Sequence, residues 1–466
     1  MSENKDFVIE NGVLVKYNGR GGDVVVPDGV IEIGYVVKKN GLQWLYIGAF
    51  ENCTSLTSVT LPDSVEKIQP LAFRGCTALE RFNVPEDHPR FRGDGPLLWS
   101  RDGSTLELAP AVSGTFVVPE GVAALGNQGT FYGNESLEHI VLPEGLERIG
   151  ERAFYGCKNL QEITFPSSLK EIGANAFCYC SGLQEITLPE GLTIIEKEAF
   201  ESCDGLKRIH FPESLKTLER SAFDNCTSLM HINYPAKPKA FHQSFFDLSV
   251  CDSRSESHFS ACPVTEIDVA EDHPKFQNVG DAILSKDGKT LVWCSPKIAG
   301  EYAVPEGIKV IEFAAFHNCK KLTRVRVPGS VLVIQKDALL ECPAALCVKQ
   351  FAISDLDKSL QNSAIRGFAF MERAGEEQDE EVRAANLKYI KRMKKKLYET
   401  AFQSEDLLAL MLGEKMIPIE DAELLIQQAE SASREDLVAK LQTYLDTAFT
   451  PAQRKRAQEK KQKLAE

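Results

Sequence analysis

Charged, hydroxyl, imidazole and amide side chains recur along this chain every 23 residues, at positions where they could bind a ligand. Arg208 and His231 share one such series, and His210 and Asn233 share a second series two residues further on. The complete candidate binding set is Glu162, Thr164, Glu185, Thr187, Arg208, His210, His231, Asn233, Arg324 and Arg326. A varied polar surface of this kind favours recognition of a protein or a glycan, although the same residues could be ordinary solvent-facing positions of a sheet.

Motifs of enzyme active sites are absent from the sequence. It contains no Gly-x-x-x-x-Gly-Lys-[Ser/Thr] phosphate loop, no Gly-x-Ser-x-Gly elbow, no His-Glu-x-x-His and no dinucleotide glycine fingerprint. His210 and His231 could ligate a metal ion, but we expect these two side chains to be solvated. His88 and His273, each within Glu-Asp-His-Pro, are better explained as turn residues than as catalytic bases. We therefore predict a non-enzymatic protein without metal or cofactor.

The elements that must position these side chains follow a repeated phrase. The phrase Pro-x-x-Leu-x-x-Ile-x-x-x-Ala-Phe-x-x-Cys-x-x-Leu-x-x-Ile-x-Phe starts at Pro143 and returns every 23 residues up to Pro235. Near the end of one copy, Ile163 and Phe165 alternate with Thr164, which is the period of a strand with one inward face. A fixed period in the twenties indicates a solenoid whose coils must stack to bury their apolar faces.

The repeated phrase resembles the BspA-like, or Treponema pallidum type, leucine-rich repeats. Their Ala-Phe-x-x-Cys-x-x-Leu core surrounds Phe50, Phe73, Phe154, Phe177, Phe200, Phe223 and Phe316. A strand-hairpin insert, a second feature of this family, is predicted around Asp102-Gly103 and Asp287-Gly288, because Asp-Gly between two apolar runs favours a two-residue turn. The resemblance implies parallel β-strands in register and a role in binding other macromolecules.

Nine of the thirteen cysteines occupy one position of the repeat. They are Cys53, Cys76, Cys157, Cys180, Cys203, Cys226, Cys262, Cys319 and Cys342. Asn134 takes this position in another copy, so we predict a small, weakly polar side chain buried under the turn. Disulfides between stacked coils are conceivable, but we expect a ladder of reduced thiols.

The repeat stops after Cys347, and helical spacing replaces it. Six helices are predicted between residues 353 and 464, the second of them over residues 377–402, with Ser404, Ser433 and Thr450 as N-caps. We therefore predict an α+β fold class: a leucine-rich repeat solenoid over residues 1–350 and an α-helical domain over residues 351–466. The helical domain is either a cap over the last coil or a second partner-binding module.

Charge and hydropathy exclude further classes of function. The net charge of −14 lies mostly in residues 1–350, which argues against nucleic acid as the partner. No apolar run approaches the length of a transmembrane helix. Residues 1–9 lack the basic start and apolar core of a secretory signal, so we predict a cytoplasmic protein. Export by a route without a recognisable signal peptide is the alternative.

These observations predict a bacterial, non-enzymatic protein-binding scaffold that uses the polar face of the repeats. A secreted or surface adhesin that binds host proteins or glycans is the alternative, since proteins of the resembled family are often exported. Arg92-Gly93-Asp94 matches an integrin-type adhesion triplet, but three residues often coincide by chance. An enzyme activity in the helical domain is a remote alternative.

Overall fold

The computed structural model describes residues 5–40, 43–127, 129–236, 259 and 261–465. The chain forms two compact units, Met1–Asn278 and Val279–Glu466, named unit 1 and unit 2. The change from strands to helices falls between Cys347 and Ile353, inside unit 2. The predicted division into two domains at residue 350 stays a prediction.

Each coil of unit 1 carries strands on two arms, which we name the face arm and the return arm. In chain order the strands are β1 (Phe7–Glu10), β2 (Val13–Tyr17), β3 (Gly22–Val25), β4 (Glu32–Ile33), β5 (Tyr35–Asn40), β6 (Gln43–Gly48), β7 (Leu56–Thr60), β8 (Lys67–Ile68), β9 (Arg81–Asn83), β10 (Phe91–Asp94), β11 (Leu97–Ser100), β12 (Thr105–Leu108), β13 (Gly114–Val117), β14 (Ala124–Leu125), β15 (Leu137–Val141), β16 (Arg148–Ile149), β17 (Glu162–Thr164), β18 (Glu171–Ile172), β19 (Glu185–Thr187), β20 (Ile194–Ile195), β21 (Arg208–His210), β22 (Thr217–Leu218), β23 (His231–Tyr234) and β24 (Glu266–Val269).

Parallel ladders join equivalent strands of successive coils. On the return arm, β12, β14, β16, β18, β20 and β22 follow one another in a single ladder. On the face arm, β13, β15 and β17 form one ladder, and β19, β21, β23 and β24 form another. Ile163, Ile186 and Ile209 are buried beneath the face arm, while the residues on either side of each are exposed. The predicted alternation and the parallel solenoid are confirmed.

An Ala-Phe turn closes most of the coils, and most of these turns have two residues in the left-handed region. In one coil, Arg152 (φ 56°) and Gly156 (φ 71°) lie on either side of Phe154. The Phe154 N–H donates to the carbonyl of Ala176 in the next coil at 2.7 Å, and its ring stacks 4.9 Å from the ring of Phe177. Because stacked strands lie about 4.8 Å apart, the column of aromatic rings keeps the spacing of the backbone ladder.

The repeat cysteine satisfies the carbonyl of the phenylalanine one coil before it. Cys157 Sγ donates to the Phe131 oxygen at 3.1 Å, and other coils of unit 1 repeat this bond at 3.0–3.2 Å. Asn134, which replaces cysteine in its coil, donates in the same way to the Val112 oxygen at 2.7 Å. The predicted burial of this position is confirmed for most copies. The described cysteines form no disulfide, and Cys251 lies outside the described residues.

Hairpins extend some of the coils. The predicted hairpin at Asp102-Gly103 is confirmed, since β11 and β12 pair antiparallel. Its connection spans the four residues 101–104 rather than two. Asn11 (φ 51°) and Gly12 (φ 80°) form the turn between β1 and β2, which start the stack. A further hairpin, β5 with β6, pairs Asn40 with Gln43 and was missed by the sequence analysis.

Unit 2 contains coils of the same kind followed by helices. Its strands are β25 (Phe276–Val279, which begins in unit 1), β26 (Ala282–Ser285), β27 (Thr290–Cys294), β28 (Gly300–Ala303), β29 (Val310–Ile311), β30 (Leu322–Arg326), β31 (Val333–Ile334) and β32 (Ala345–Cys347). Its helices are a 3-10 turn (Ile353–Asp355), α1 (Lys358–Arg373), α2 (Glu380–Met393), a 3-10 turn (Lys394–Leu397), α3 (Tyr398–Gln403), α4 (Glu405–Gly413), α5 (Ile419–Ser431), α6 (Glu435–Ala448) and α7 (Pro451–Ala465). The predicted second insert is confirmed, since β26 and β27 pair antiparallel.

Helix α1 packs directly against β32, the last face strand. A Cβ atom added at Gly367 would lie 2.0 Å from the Leu346 carbonyl oxygen, so only glycine permits this approach. Leu346, Phe368 and Leu407 belong to one hydrophobic core that extends from the coils into the helices. Among the described residues, no helix combines the length and apolarity that crossing a membrane requires.

Two of the three predicted helix caps are confirmed. Ser404 accepts a hydrogen bond from the Leu407 N–H, and Thr450 accepts one from the Gln453 N–H. The prediction at Ser433 is wrong, because Arg434 occupies the N-cap of α6 and makes no side-chain capping bond. Ser433 instead adopts a left-handed φ of 53° in the turn after α5.

Candidate functional site

Six of the ten predicted binding residues form a contiguous exposed surface on unit 1. They are Glu162 and Thr164 on β17, Glu185 and Thr187 on β19, and Arg208 and His210 on β21. In-register pairing sets Glu185 beside Arg208 and Thr187 beside His210, and β17 lies next to β19. We name these six residues the open strand face.

The side chains of the open strand face make no hydrogen bond and no ion pair with any described residue. They contrast with Ile163, Ile186 and Ile209, which alternate with them and fill the core. Carboxylates occupy the β17 and β19 side of this face, and a guanidinium and an imidazole occupy the β21 side. Ladders to β15 and between β19 and β21 already use much of the backbone of this face. The exposed side chains are therefore the main groups that can bind a partner.

His231 and Asn233, also predicted to bind, are engaged inside the sheet. His231 Nδ1 lies 2.6 Å from Glu266 Oε2, and Nε2 lies 2.9 Å from Asp268 Oδ2. Asn233 accepts from the Phe211 N–H at 2.6 Å and donates to the Phe211 oxygen at 2.9 Å. The predicted cluster therefore divides at β23: Arg208 and His210 are exposed, and their neighbours hold adjacent strands together.

Arg324 and Arg326 lie on β30 in unit 2 and bind elements of the same unit. Both guanidinium groups contact Glu301, at 3.0 Å from Arg324 Nε and 2.6 Å from Arg326 Nε. Arg326 also binds Glu376 at 2.7 Å, in the loop after α1. The Arg324 guanidinium lies 4.4 Å from the centre of the Phe370 ring on α1. These contacts connect the face arm to the helical segment.

The electrostatics of this contact agree with its geometry. Hydrogen bonds from Arg326 and then Arg324 hold the pKa of Glu301 below its usual value, although partial burial opposes the shift. Glu301 and then Glu376 raise the pKa of Arg326 further above its already high value. The charges at this position of unit 2 are therefore used within the fold.

The histidines of Glu-Asp-His-Pro and the Arg-Gly-Asp triplet make contacts within the fold. His88 is buried, and its Nδ1 accepts hydrogen bonds from the N–H groups of Arg90 and Phe91, at 3.1 and 3.0 Å. His273 accepts equivalent bonds in the second copy of its motif. Arg92 of the Arg-Gly-Asp triplet lies on β10 opposite Trp99, with its guanidinium 5.6 Å from the indole ring.

The stacked coils, with their leucine-rich inward face and short parallel strands, define a leucine-rich repeat protein. The sequence profile described as "BspA type Leucine rich repeat region" matches residues 29–92, 127–252 and 298–408, in six copies. These matches cover more than half of the chain, so the chain belongs to the BspA-type leucine-rich repeat family. The resemblance stated from the sequence is confirmed.

Solved structures of similar proteins come from several bacteria. The chain is 20% identical to a leucine rich cell surface protein from Faecalibacterium prausnitzii, over 73% of each chain, with a TM-score of 0.30. It is 21% identical to the pneumococcal vaccine antigen PcpA, over 60% of this chain and 56% of that chain, with a TM-score of 0.34. It is 25% identical to the Treponema pallidum leucine rich repeat protein TpLRR, over 50% of this chain and 80% of that chain, with a TM-score of 0.21. No curated protein matches the chain.

Proposed function

We propose that this protein is a non-enzymatic scaffold that binds a partner protein through the open strand face. The observation that carries the proposal is the set of six exposed polar side chains on β17, β19 and β21 that have no partner among the described residues. Elsewhere on the face arm, His231, Asn233, Arg324 and Arg326 are consumed by internal contacts.

The open strand face suits a partner of mixed charge. Its acidic side, Glu162 and Glu185, would bind basic groups, and its basic side, Arg208 with His210, would bind acidic groups. The sheet beneath it is held by backbone ladders and by the phenylalanine column, so little conformational entropy is lost when a partner binds. Electrostatic complementarity of this kind sets specificity and the association rate more than it sets raw affinity.

We further propose that the protein works in the cytoplasm. The repeat thiols support this proposal because most of those in unit 1 donate a hydrogen bond to a phenylalanine carbonyl, a role that needs the reduced form. Fractionation that recovers the protein mainly outside the cell would contradict it, and would favour the adhesin alternative.

Affinity capture with charge-reversal variants tests the binding surface. The full chain serves as bait in native lysate, partners are identified by mass spectrometry, and the affinity of each is then measured with purified components. We expect the double variant Arg208→Glu/His210→Ala to lower the affinity for the specific partner by about tenfold or more. Affinity should also fall as salt rises.

A matched control uses the other arm of the same coil. Lys216→Ala removes an exposed cation next to β22 without touching the face arm, and it should leave capture unchanged. If every captured partner binds the Arg208/His210 variant and a Glu162→Ala/Glu185→Ala variant as tightly as the wild type, the open strand face is not the binding surface.

A further inference from the structure

A cleft lies on the turn side of unit 1 and is built from different residues than the open strand face. It is a cleft of about 550 Å³, a size common for small-molecule sites. Its lining is mainly polar and aromatic, and the side chains that define it are Arg74, Tyr132, Arg152, Tyr155, Glu198 and Glu201. We name it the tyrosine cleft.

The cleft exists because one coil lacks the Ala-Phe turn. Residues 109–113 alone connect β12 to β13, whereas residues 150–161 connect β16 to β17. The turns on either side of this short coil approach each other closely. A Cβ atom at Gly133 would lie 2.8 Å from Arg74 Nε, and one at Gly129 would lie 2.9 Å from Pro70 Cβ. The hairpin insert therefore places Arg74 next to the coil that carries Tyr132.

Three tyrosines line the cleft on successive turns. The rings of Tyr132 and Tyr155 stack 4.8 Å apart at 9°, and Tyr179 meets Tyr155 edge-on at 5.4 Å. The hydroxyl groups of Tyr132 and Tyr155 have no hydrogen-bond partner among the described residues, although both side chains are half-buried. Burial raises the pKa of both phenols, so each hydroxyl stays protonated and can both donate and accept.

The two guanidinium groups of the cleft are already paired with carboxylates. Arg74 pairs with Glu51 at 3.2 Å. Arg152 pairs with Glu151 at 2.7 Å. An anion would have to displace these carboxylates, and a neutral ligand would not. Glu201 forms no ion pair with a described residue, but burial, and then the charge of Glu198, raises its pKa and so favours its neutral form over the charged form that would attract a cation.

Glu198 is held in the same way. It accepts from Asn175 Nδ2 at 2.9 Å and pairs with Lys197 at 2.7 Å. The carboxylates of Glu198 and Glu201 keep lone pairs that can accept hydrogen bonds from ligand hydroxyls. The Asn175 amide can both donate to such hydroxyls and accept from them. Ligand C–H groups would pack against the tyrosine edges and the exposed face of Tyr179.

We propose that the tyrosine cleft binds a neutral saccharide. This ligand class supplies closely spaced hydroxyls that both donate and accept, apolar ring faces for the tyrosines, and no charge. The proposal does not depend on the open strand face, since the two sites share no residue.

Binding of defined oligosaccharides to the purified full chain tests the proposal. The probes are maltohexaose, cellohexaose, mannohexaose and N-acetylglucosamine tetramer, with oligogalacturonate as the acidic comparison, measured by isothermal titration calorimetry. We expect at least one neutral probe to bind, and the double variant Tyr132→Phe/Tyr155→Phe to weaken it by about tenfold or more, because it loses two hydrogen bonds and keeps both rings.

Tyr389→Phe is the matched control. It removes a hydroxyl in unit 2 that binds Gln361, and it should leave saccharide affinity unchanged. Thermal melts of all variants confirm folding. The proposal is overturned if no neutral probe binds, if oligogalacturonate binds more tightly than every neutral probe, or if the double variant binds as tightly as the wild type.

Discussion

Outward-facing arginines on the face strands make different contacts in the two units. Arg208 on β21 in unit 1 has no hydrogen-bond or ion-pair partner among the described residues. Arg326 on β30 in unit 2 binds Glu301 and Glu376. Both lie on face strands of the same coil type, and both project away from the core. The coil sets the direction of a side chain, and the elements packed against the face decide whether it remains available.

The difference has a physical cause in the helical segment. Helix α1 packs on β32 through Gly367, which brings Phe370 and the following loop over the unit 2 face arm. A guanidinium near a carboxylate and an aromatic ring gains charge-assisted hydrogen bonds and a cation–π contact. The outward side chains of β17, β19 and β21 make no such hydrogen bond or ion pair with a described residue.

The largest expected effect comes from removing the helices of unit 2. Deleting residues 351–466 exposes the apolar surface that Leu346 shares with Phe368 and Leu407, which lie in one core. We expect the truncated chain to aggregate, because this surface is fully buried in the whole protein. Size-exclusion chromatography and soluble yield measure the outcome, and a soluble, stable truncation would reject the role of the helices as a cap.

Two glycine substitutions sharpen the same test without deletion. Gly367→Ala places a methyl group against the Leu346 carbonyl and should lower the unfolding free energy by about 2 kcal/mol or more. Gly413→Ala, at the end of α4, meets no atom within 4 Å and should be neutral or slightly stabilising. Equal effects at the two sites would show that α1 docking is not the critical contact.

The next effect tests whether both units use the same coil scaffold. Burial raises the pKa of Cys157 in unit 1 and of Cys319 in unit 2 to about 12, against an ordinary thiol value of 9.0. Because the folded-state pKa is the higher one, each thiol stabilises the fold fully below pH 9.0 and loses that contribution as the pH rises towards 12. Each thiol should therefore lower the unfolding free energy by about 1.4 kcal/mol when the pH rises from neutral to about 10. We expect Cys157→Ser and Cys319→Ser each to abolish that part of the decrease.

Urea titrations at several alkaline pH values measure this slope. Asn134→Ser is the control, since this residue occupies the cysteine position without a thiol and should not change the pH dependence. A flattened slope in only one of the two cysteine variants would show that the two units bury this position differently.

The smallest effect compares the two arginines directly. Arg326→Ala should lower the unfolding free energy by about 1 kcal/mol, a modest value because about a third of its side chain is exposed. Arg208→Ala should change it by less than about 0.5 kcal/mol. Chemical denaturation at low and high salt measures both, and the Arg326 effect should shrink as salt rises. If both variants lost the same unfolding free energy, Arg326 would not differ from Arg208 in its contribution to the fold.

Much of the fold was predictable because each coil is governed by local patterns. Alternation placed Ile163 inside and Thr164 outside, and Asp102-Gly103 marked a hairpin. The missed hairpin of β5 and β6 had a signal of its own, since Asn40-Gly41 stands between two strand-like runs. The helix predicted over residues 377–402 is instead divided into α2, a 3-10 turn and α3.

The candidate site was predictable only in part. The sequence placed all ten polar residues on face strands, and the structure agrees for each of them. It could not show that Asn233 bonds to both backbone groups of Phe211, because an asparagine at that position could equally face solvent. The sequence also gave no sign of the tyrosine cleft. This cleft depends on the short connection at residues 109–113 lying next to a coil with a complete Ala-Phe turn.

By itself, the sequence determined the coil: its period, its inward residues, its aromatic column and its family. Those features follow from contacts between a residue and its equivalents one period away, so a linear pattern contains them. Only the tertiary structure decided which outward side chains are available, because that depends on elements distant in the chain, as Glu376 is from Arg326. Whether an outward side chain is available depends on how non-repeating elements pack against it, and a repeat pattern does not contain that information.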